Sequence, residues 1–396
     1  MRTGHGIHER KSEGISMKFS LIYEAQTTDA SRAGDRKVFD EIVEQAVLAE
    51  QMGFDVIWCV EHTALTNYAH MSAPETVLAF LAGKTSRIHL GHGVVCLPPA
   101  MNHPVKVAER IATLDLLSHG RVHFGVGKGG TQQEAGTFGY ELATLYPQID
   151  EAMYLIPKIM VQEEIEHDGE YIKIPRRPIH PKPYQDPHPP MYLACTNTDT
   201  LTRAGERGMG ALVLGFGGPE DVAKKNQVYR QAWSTRKPEQ QVGFRPNQHL
   251  AALCPTIVLD DGVQARKIGI KGQRYFMESL GHWYGGAPKP DPSQWDDNVT
   301  SHDATGKDVI KTNFASEKLT IDFSDPQMML LNPNHAYGTV QDCIGYVQRL
   351  IDSGADEILF ICQMGTVPQW AQLETLKNIG QHVIPYFREQ GKLVAA

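Results

Sequence analysis

The chain has 396 residues, 41% hydrophobic and 21% charged, which is ordinary globular usage and excludes a wholly disordered protein. Thirty-eight Lys and Arg against 46 Asp and Glu give a net charge of -8 with no basic block, so nucleic-acid binding is disfavoured. No apolar run approaches the roughly 18 to 20 residues of a membrane span, and a soluble protein is expected.

The first 16 residues, MRTGHGIHERKSEGIS, lack the apolar core and cleavage site of a secretory signal and read as a disordered extension, with Met17 as the original start. His5 and His8 belong to that polar tail rather than to a metal site. Short β-rich runs then alternate with helical patterns, the signature of parallel strands. Lys18 to Tyr23 is the first strand, and Val38, Ile42, Ala46 and Ala49 recur at helical spacing until Gly53. Asp55 to Val60 is the second strand. A helix from Pro74 to Gly83 leads to Ile88 to Cys96, and another from Pro104 to Leu117 leads to Val122 to Val126. The amphipathic stretch Leu142 to Glu164 precedes a hairpin turning at Asp168 and Gly169. Seven prolines between Pro175 and Pro190 enforce an extended connector. Met191 to Ala194, Ala211 to Leu214, His249 to Leu259 and Glu357 to Cys362 complete eight strands. Eight β/α units most economically close into a (β/α)8 TIM-type barrel, an α/β fold in one domain over 17–396. A doubly wound open sheet is the alternative. The polar segment Gly285 to Asp325, after the seventh strand, is expected to be a lid. The six cysteines (Cys59, Cys96, Cys195, Cys254, Cys343, Cys362) show no CxxC spacing and read as buried thiols of a reducing, cytoplasmic compartment.

In such a barrel, chemistry sits at the C-terminal strand ends. The second strand ends in WCVEHT, which places His62 at the rim as a base, donor or ligand, or as a salt-bridge partner of Glu61. His89 and His92 fall on opposite strand faces, so no metal site is expected. Gly91 and Gly93 suggest that something large and flat approaches the backbone. The fourth strand ends in GVGKGG, which is neither a Walker loop nor GxGxxG, yet offers Lys128 as a phosphate seat. Thr196, Asn197, Thr198, Asp199 and Thr200 open a helix with more polar groups than a cap needs, which suits an anion.

From Met17 to Phe387 the order of these segments resembles the bacterial luciferase-like flavin monooxygenase family. The run LPPAMNHPVKVAERIATLDLLSHGRVHFGVGKGG carries most of the resemblance, joined by the EHT after the second strand, ACTNTDTLTRAGERG, and GTVQDCIGYVQRLIDSGADEILF. The resemblance implies an FMN site at the strand ends, in a dimer. It implies that Lys128, Thr196, Asn197 and Thr200 hold the FMN phosphate and that His62 lies near the reacting flavin carbon. It also implies a non-prolyl cis peptide under the flavin ring within His92, Gly93 and Val94. Gly127 stands where luciferases have a reactive cysteine, so light emission is not expected.

The expected activity is a two-component monooxygenase. A separate reductase supplies reduced FMN, O2 forms a flavin 4a-peroxide, and one oxygen atom passes to a small organic substrate. His62 would orient or protonate the peroxide, with Tyr23, Glu24, Trp58 and Trp283 as pocket walls. The alternatives are a deazaflavin-dependent hydride-transfer enzyme and a non-catalytic flavin-binding protein.

Overall fold

A computed structural model describes residues 17–295 and 335–394. Strands β1 (Lys18–Tyr23), β2 (Val56–Cys59), β3 (His89–Cys96) and β4 (Val122–Gly127) are followed in turn by helix α1 (Arg32–Gln51), α2 (Pro74–Ala82), α3 (Pro104–Leu117) and the pair α4 (Gln132–Phe138) and α5 (Leu145–Val161). The hairpin of β5 (Glu164–Asp168) and β6 (Lys173–Pro178) is inserted next. Then come β7 (Met191–Cys195), α6 (Thr198–Glu206), β8 (Gly210–Val213), α7 (Pro219–Ser234), β9 (Leu250–Val258) and α8 (Gly262–Gly285). The chain finishes with β10 (Ala336–Gly338), α9 (Val340–Asp352), β11 (Glu357–Ile361), α10 (Gln369–Asn378) and α11 (Ile384–Val394).

The barrel runs β1-β2-β3-β4-β7-β8-β9-β11, every pair parallel, and closes through β11 on β1. That closure removes the open-sheet alternative, because neither β1 nor β8 is an edge. β10 was not anticipated; its three residues pair with β9 outside the barrel and are too short to show a period. The expected N-terminal extension lies outside the described residues, as does the expected lid from residue 296 onward. The described start of that segment is anchored, with Trp295 6.3 Å from the Tyr275 ring and the Arg274 guanidinium 4.3 Å above the Trp295 ring. No described helix is long and apolar enough to cross a membrane.

Parallel strands are buried on both faces, so which face a residue takes decides its role. In β1, Phe19 stacks with Phe360 of β11 and meets Phe387 of α11, so odd positions face the helices and even positions face the barrel axis. The axis is filled by a hydrogen-bonded aromatic and polar layer. Trp58 Nε1 donates to Glu357 Oε1 at 2.8 Å, and Glu357 Oε2 lies 2.7 Å from His249 Nε2. His123 bridges Tyr192 at 2.9 Å and His89 at 3.1 Å. Burial opposes the Glu357 charge, but the His249 hydrogen bond and charge hold its carboxyl below the usual value.

This layer corrects three expectations. Trp58 is fully buried in the barrel interior and is not a pocket wall. The large flat group at Gly91 and Gly93 is the Trp58 indole itself, which a Cβ at either glycine would meet. Tyr23 points outward by its strand parity, beside Cys59 and Cys362 under the helices, and so lines no pocket.

Candidate active site

The C-terminal ends of β2, β3, β4 and β7 surround a cavity of about 330 Å³. A second cavity of equal volume opens at the N-terminal ends of β1 to β3, against Asp55 and Arg388, away from the strand ends that carry the candidate residues. The first cavity brings together His62, Val94, Gly127, Lys128, Thr196, Asn197 and Thr200. Glu24 lies behind His62, outside the lining.

The cavity floor follows from an irregularity in β3. The Gly93–Val94 peptide is cis, and the β3–β4 register shifts between His92 and Val95. Strand parity is broken there, so Gly93 faces Trp58 while Val94 also turns inward, over Gly127. A Cβ at Gly127 would stand 2.5 Å from Val94 Cγ2, so valine occupies the space a side chain at 127 would need. His92 departs from expectation: its ring faces the helical layer beside Glu61, Glu75 and Arg110, and burial pushes it down to about 3. It does not line the cavity.

One end of the cavity is built on α6. Asn197 and Thr200 form its capping box, in which the Asn197 side chain accepts from Thr200 N at 2.9 Å and Thr200 Oγ1 accepts from the backbone N–H groups of Thr196 and Asn197. Thr200 therefore shapes the helix start through its cap, and the exposed Thr196 hydroxyl is the one left to the cavity. Opposite stands Lys128, whose ammonium sits 5.1 Å over the Tyr146 ring and has no carboxylate partner among the described residues. Burial lowers the Lys128 pKa. Arg203 on α6 and Arg207 at its C-cap, one turn apart, extend the wall, with Arg203 paired to Asp199 at 2.9 Å and Arg207 bidentate on Asp150 at 2.8 and 2.9 Å. Sequence reading missed both arginines, although their i, i+4 spacing on the helix that opens with the anion motif places them on one face.

The other end of the cavity centres on His62. Its Nδ1 lies 3.0 Å from Glu134 Oε1, and its Nε2 lies 3.9 Å from Glu24 Oε2. Glu134 is the third residue of α4, and its other oxygen takes the Thr131 hydroxyl at 2.8 Å in a capping box. Burial works against the Glu134 charge, but the His62 hydrogen bond and charge, with Thr131 and Gly130, hold it down to about 2. An ionised carboxylate only accepts, so His62 Nδ1 carries the proton. Burial likewise opposes the His62 cation; Glu134 and Glu24 outweigh it and raise the imidazole above its usual value. Burial pushes Glu24 up to about 7, and Tyr68 OH lies 3.5 Å from its Oε1. Glu61, the expected partner of His62, instead accepts from Cys96 N at 2.7 Å and Asn102 Nδ2 at 3.0 Å on the helical side. Glu134 was missed, although Thr131-x-x-Glu134 is a capping-box signature in the sequence. Trp283 is also displaced from its expected role: its indole donates to Thr66 O at 3.2 Å and fastens the end of α8 to the β2–α2 loop.

The residues present fit a flavin mononucleotide. Lys128 and the α6 start would supply phosphate donors, and the absence of side chains at Gly127 and Gly130 lets Val94 and Tyr284 close in on the backbone that lines the cavity. Among the described residues, no cluster of His, Cys, Asp and Glu could hold a metal ion.

A family model described as luciferase-like monooxygenase matches residues 17–315. The chain is 24% identical over 363 residues to the alkanal monooxygenase alpha chain of Photorhabdus laumondii, covering 89% of this chain and 94% of that one. It is 32% identical over 176 residues to the F420-dependent hydroxymycolic acid dehydrogenase of Mycobacterium tuberculosis, covering 43% of this chain and 48% of that one. Among solved structures, the oxygenating constituent of 3,6-diketocamphane monooxygenase from Pseudomonas putida, in complex with FMN, superposes with a TM-score of 0.67 at 19% identity, covering 93% of this chain and 98% of that one.

Proposed function

The chain belongs to the luciferase-like monooxygenase family, whose members are flavin-dependent oxidoreductases, and on that footing we propose that it is the oxygenase of a two-component FMN-dependent monooxygenase. The observation that carries this reading is the pairing, in one cavity, of a cation without a carboxylate partner at Lys128 and the hydroxyl of Thr196 with a charge-tuned imidazole at His62. FMN would be held by Lys128, Thr196 and the α6 start, with Asn197 and Thr200 fixing that start and the Gly93–Val94 backbone, Val94 and Gly127 forming the floor. Reduced flavin, when bound, supplies the electrons for dioxygen activation. His62 keeps its Nδ1 proton on Glu134 and presents Nε2 to the reacting end, where it donates or holds a proton for the oxygen being transferred. Val94 and the apolar wall at Leu193 and Met153 exclude water from that end.

The separate reductase follows from this reading, since FMN must arrive reduced. The six cysteines are buried and unpaired, which suits a cytoplasmic setting. A homodimer is part of the same reading: α2 and α3 pack together and leave Phe80 53% and Leu117 61% exposed, apolar surface that a second copy would cover.

A deazaflavin-dependent hydride transfer is the second reading, supported by the similarity to the mycobacterial dehydrogenase and by the two carboxylates beside His62. The deciding experiment measures substrate-dependent oxygen uptake with reduced FMN against anaerobic hydride transfer with reduced deazaflavin. Oxygen uptake coupled to an oxygenated product supports the monooxygenase; hydride transfer without oxygen rejects it. FMN binding without turnover on either arm would leave a flavin-storage protein.

A further inference from the structure

The C-terminal end of β11 carries a second polar group for which the flavin reading has no use. Gln363 is 2% exposed, and neither its amide nitrogen nor its oxygen has a hydrogen-bond partner among the described residues. Buried polar groups are almost always paired, and an amide with both ends free is a cost the resting protein carries. Strand parity says where the group points. Glu357 takes its hydrogen bonds inside the barrel, Phe360 packs outward on Phe19 and Phe54, and Cys362 lies outward near Cys254. Carried past Ile361, where β11 ends, the same alternation turns Gln363 toward the barrel mouth. Continuing the β1–β11 register past Leu21 and Phe360 sets Glu24 opposite it. Gln26, also 2% exposed, accepts from Gly365 N at 2.8 Å through its oxygen and leaves its Nε2 without a hydrogen-bond partner, and Glu24 Oε2 accepts no hydrogen bond, with His62 Nε2 3.9 Å away.

We propose that Gln363, assisted by Gln26, is a specificity-determining residue that binds the substrate through a neutral amide-like edge, a carbonyl oxygen beside an N–H, as in a lactam. A glutamine amide presents one acceptor and one donor side by side, and its complement is a group with the same pair reversed. The Gln26 Nε2, on a side chain held at Gly365 two residues beyond Gln363, would be a further donor for the carbonyl oxygen. The edge belongs to the substrate rather than to the cofactor because the flavin cavity draws its strand walls from β2, β3, β4 and β7, with α5, α6 and Tyr284 of α8. It takes none from β1, β9 or β11. This inference rests on reading that cavity as the flavin seat.

The test uses the full-length, FMN-loaded protein titrated calorimetrically with 2-piperidone, which has the amide edge, and with cyclohexanone, the same ring with the carbonyl alone. The wild type is expected to bind the lactam about five- to tenfold more tightly, the worth of one added neutral hydrogen bond. Gln363→Met removes that preference, leaves the FMN dissociation constant unchanged, and melts no lower than the wild type without ligand, since it deletes two unpaired buried atoms. If the methionine variant does not fold, Gln363→Asn, which withdraws both polar atoms by one methylene, is expected to lose the same preference. Equal binding of the two probes by the wild type overturns the proposal. So does a Gln363→Met variant that loses FMN affinity or stability instead. Failure of the wild type to bind FMN rejects the seat reading, and a lactam preference persisting in that FMN-free protein keeps the two failures apart.

Discussion

His62 Nδ1 and Glu134 Oε1 stand 3.0 Å apart although β2 and α4 deliver them from 72 residues' separation. The pair fixes which imidazole nitrogen is protonated and leaves Nε2 for chemistry. Glu134→Gln keeps the capping box, which accepts Gln, and removes the charge. Losing a charge-assisted hydrogen bond worth about 1.5 to 3 kcal/mol lowers the His62 titration by about one to two pH units. If His62 acts as the proton donor, turnover falls as pH rises through its pKa, and in Glu134→Gln that limb moves to lower pH. A pH–rate profile identical to the wild type would show that Glu134 does not tune His62.

The same pair predicts acid lability. Glu134 is held at about 2 in the folded protein against an ordinary value of 4.5, so its stabilisation is present above 4.5 and lost as pH falls toward 2. The raised His62 value limits the pair on the other side: its contribution is lost as pH rises through that value. Thermal melts from pH 5 to pH 3 should decline more steeply for the wild type than for Glu134→Gln. Parallel declines would assign the acid sensitivity to other carboxylates.

His62→Ala should leave FMN affinity nearly unchanged and lower the rate of product formation by about 10² to 10⁴, the usual range for general acid–base help. Equal losses in binding and turnover would make His62 a structural brace at the end of β2.

Lys128 has no carboxylate to satisfy it among the described residues, so its charge is available to a phosphate. Lys128→Ala should weaken FMN by about ten- to hundredfold, as expected for one charge-assisted hydrogen bond of about 1.5 to 3 kcal/mol. Riboflavin, which lacks the phosphate, should bind both proteins alike. A variant that binds FMN as tightly as the wild type would place the phosphate elsewhere, with Arg203 the next cation along the wall.

Gly91→Ala should destabilise the fold by about 1 to 3 kcal/mol, because the new methyl meets the immobile Trp58 indole. The measurement is the urea midpoint. A midpoint within error of the wild type would mean that the indole can move aside.

The barrel was legible because each unit repeats the same signal: a short β-rich run, a glycine or proline stop, and a helical period. β10 gave no such signal in three residues. At the site, residues at the tips of strands could be placed from sequence because the fold puts function there; those one or two positions inside could not. Tyr23 and Trp58 are adjacent to the mouth in number, but parity sends one outward and the other down the axis, and a lone strand sequence buried on both faces does not reveal its parity. Val94 turns inward only because of the β3 irregularity. Glu134 and the two arginines sit in legible local patterns, a capping box and an i, i+4 pair, but whether their helices reach the mouth depends on packing.

Trp58, locked to Glu357 and flanked by His123 and Tyr192, makes the barrel a cup rather than a tube. Whatever the His62 cavity admits cannot cross the barrel axis and is expected to come and go on the C-terminal side. A bulky cofactor and a smaller substrate sharing a single doorway queue: the one seated deeper arrives first and departs last. Initial-rate patterns would then be those of an ordered sequence, and excess substrate would slow the exchange of spent cofactor by standing in its exit.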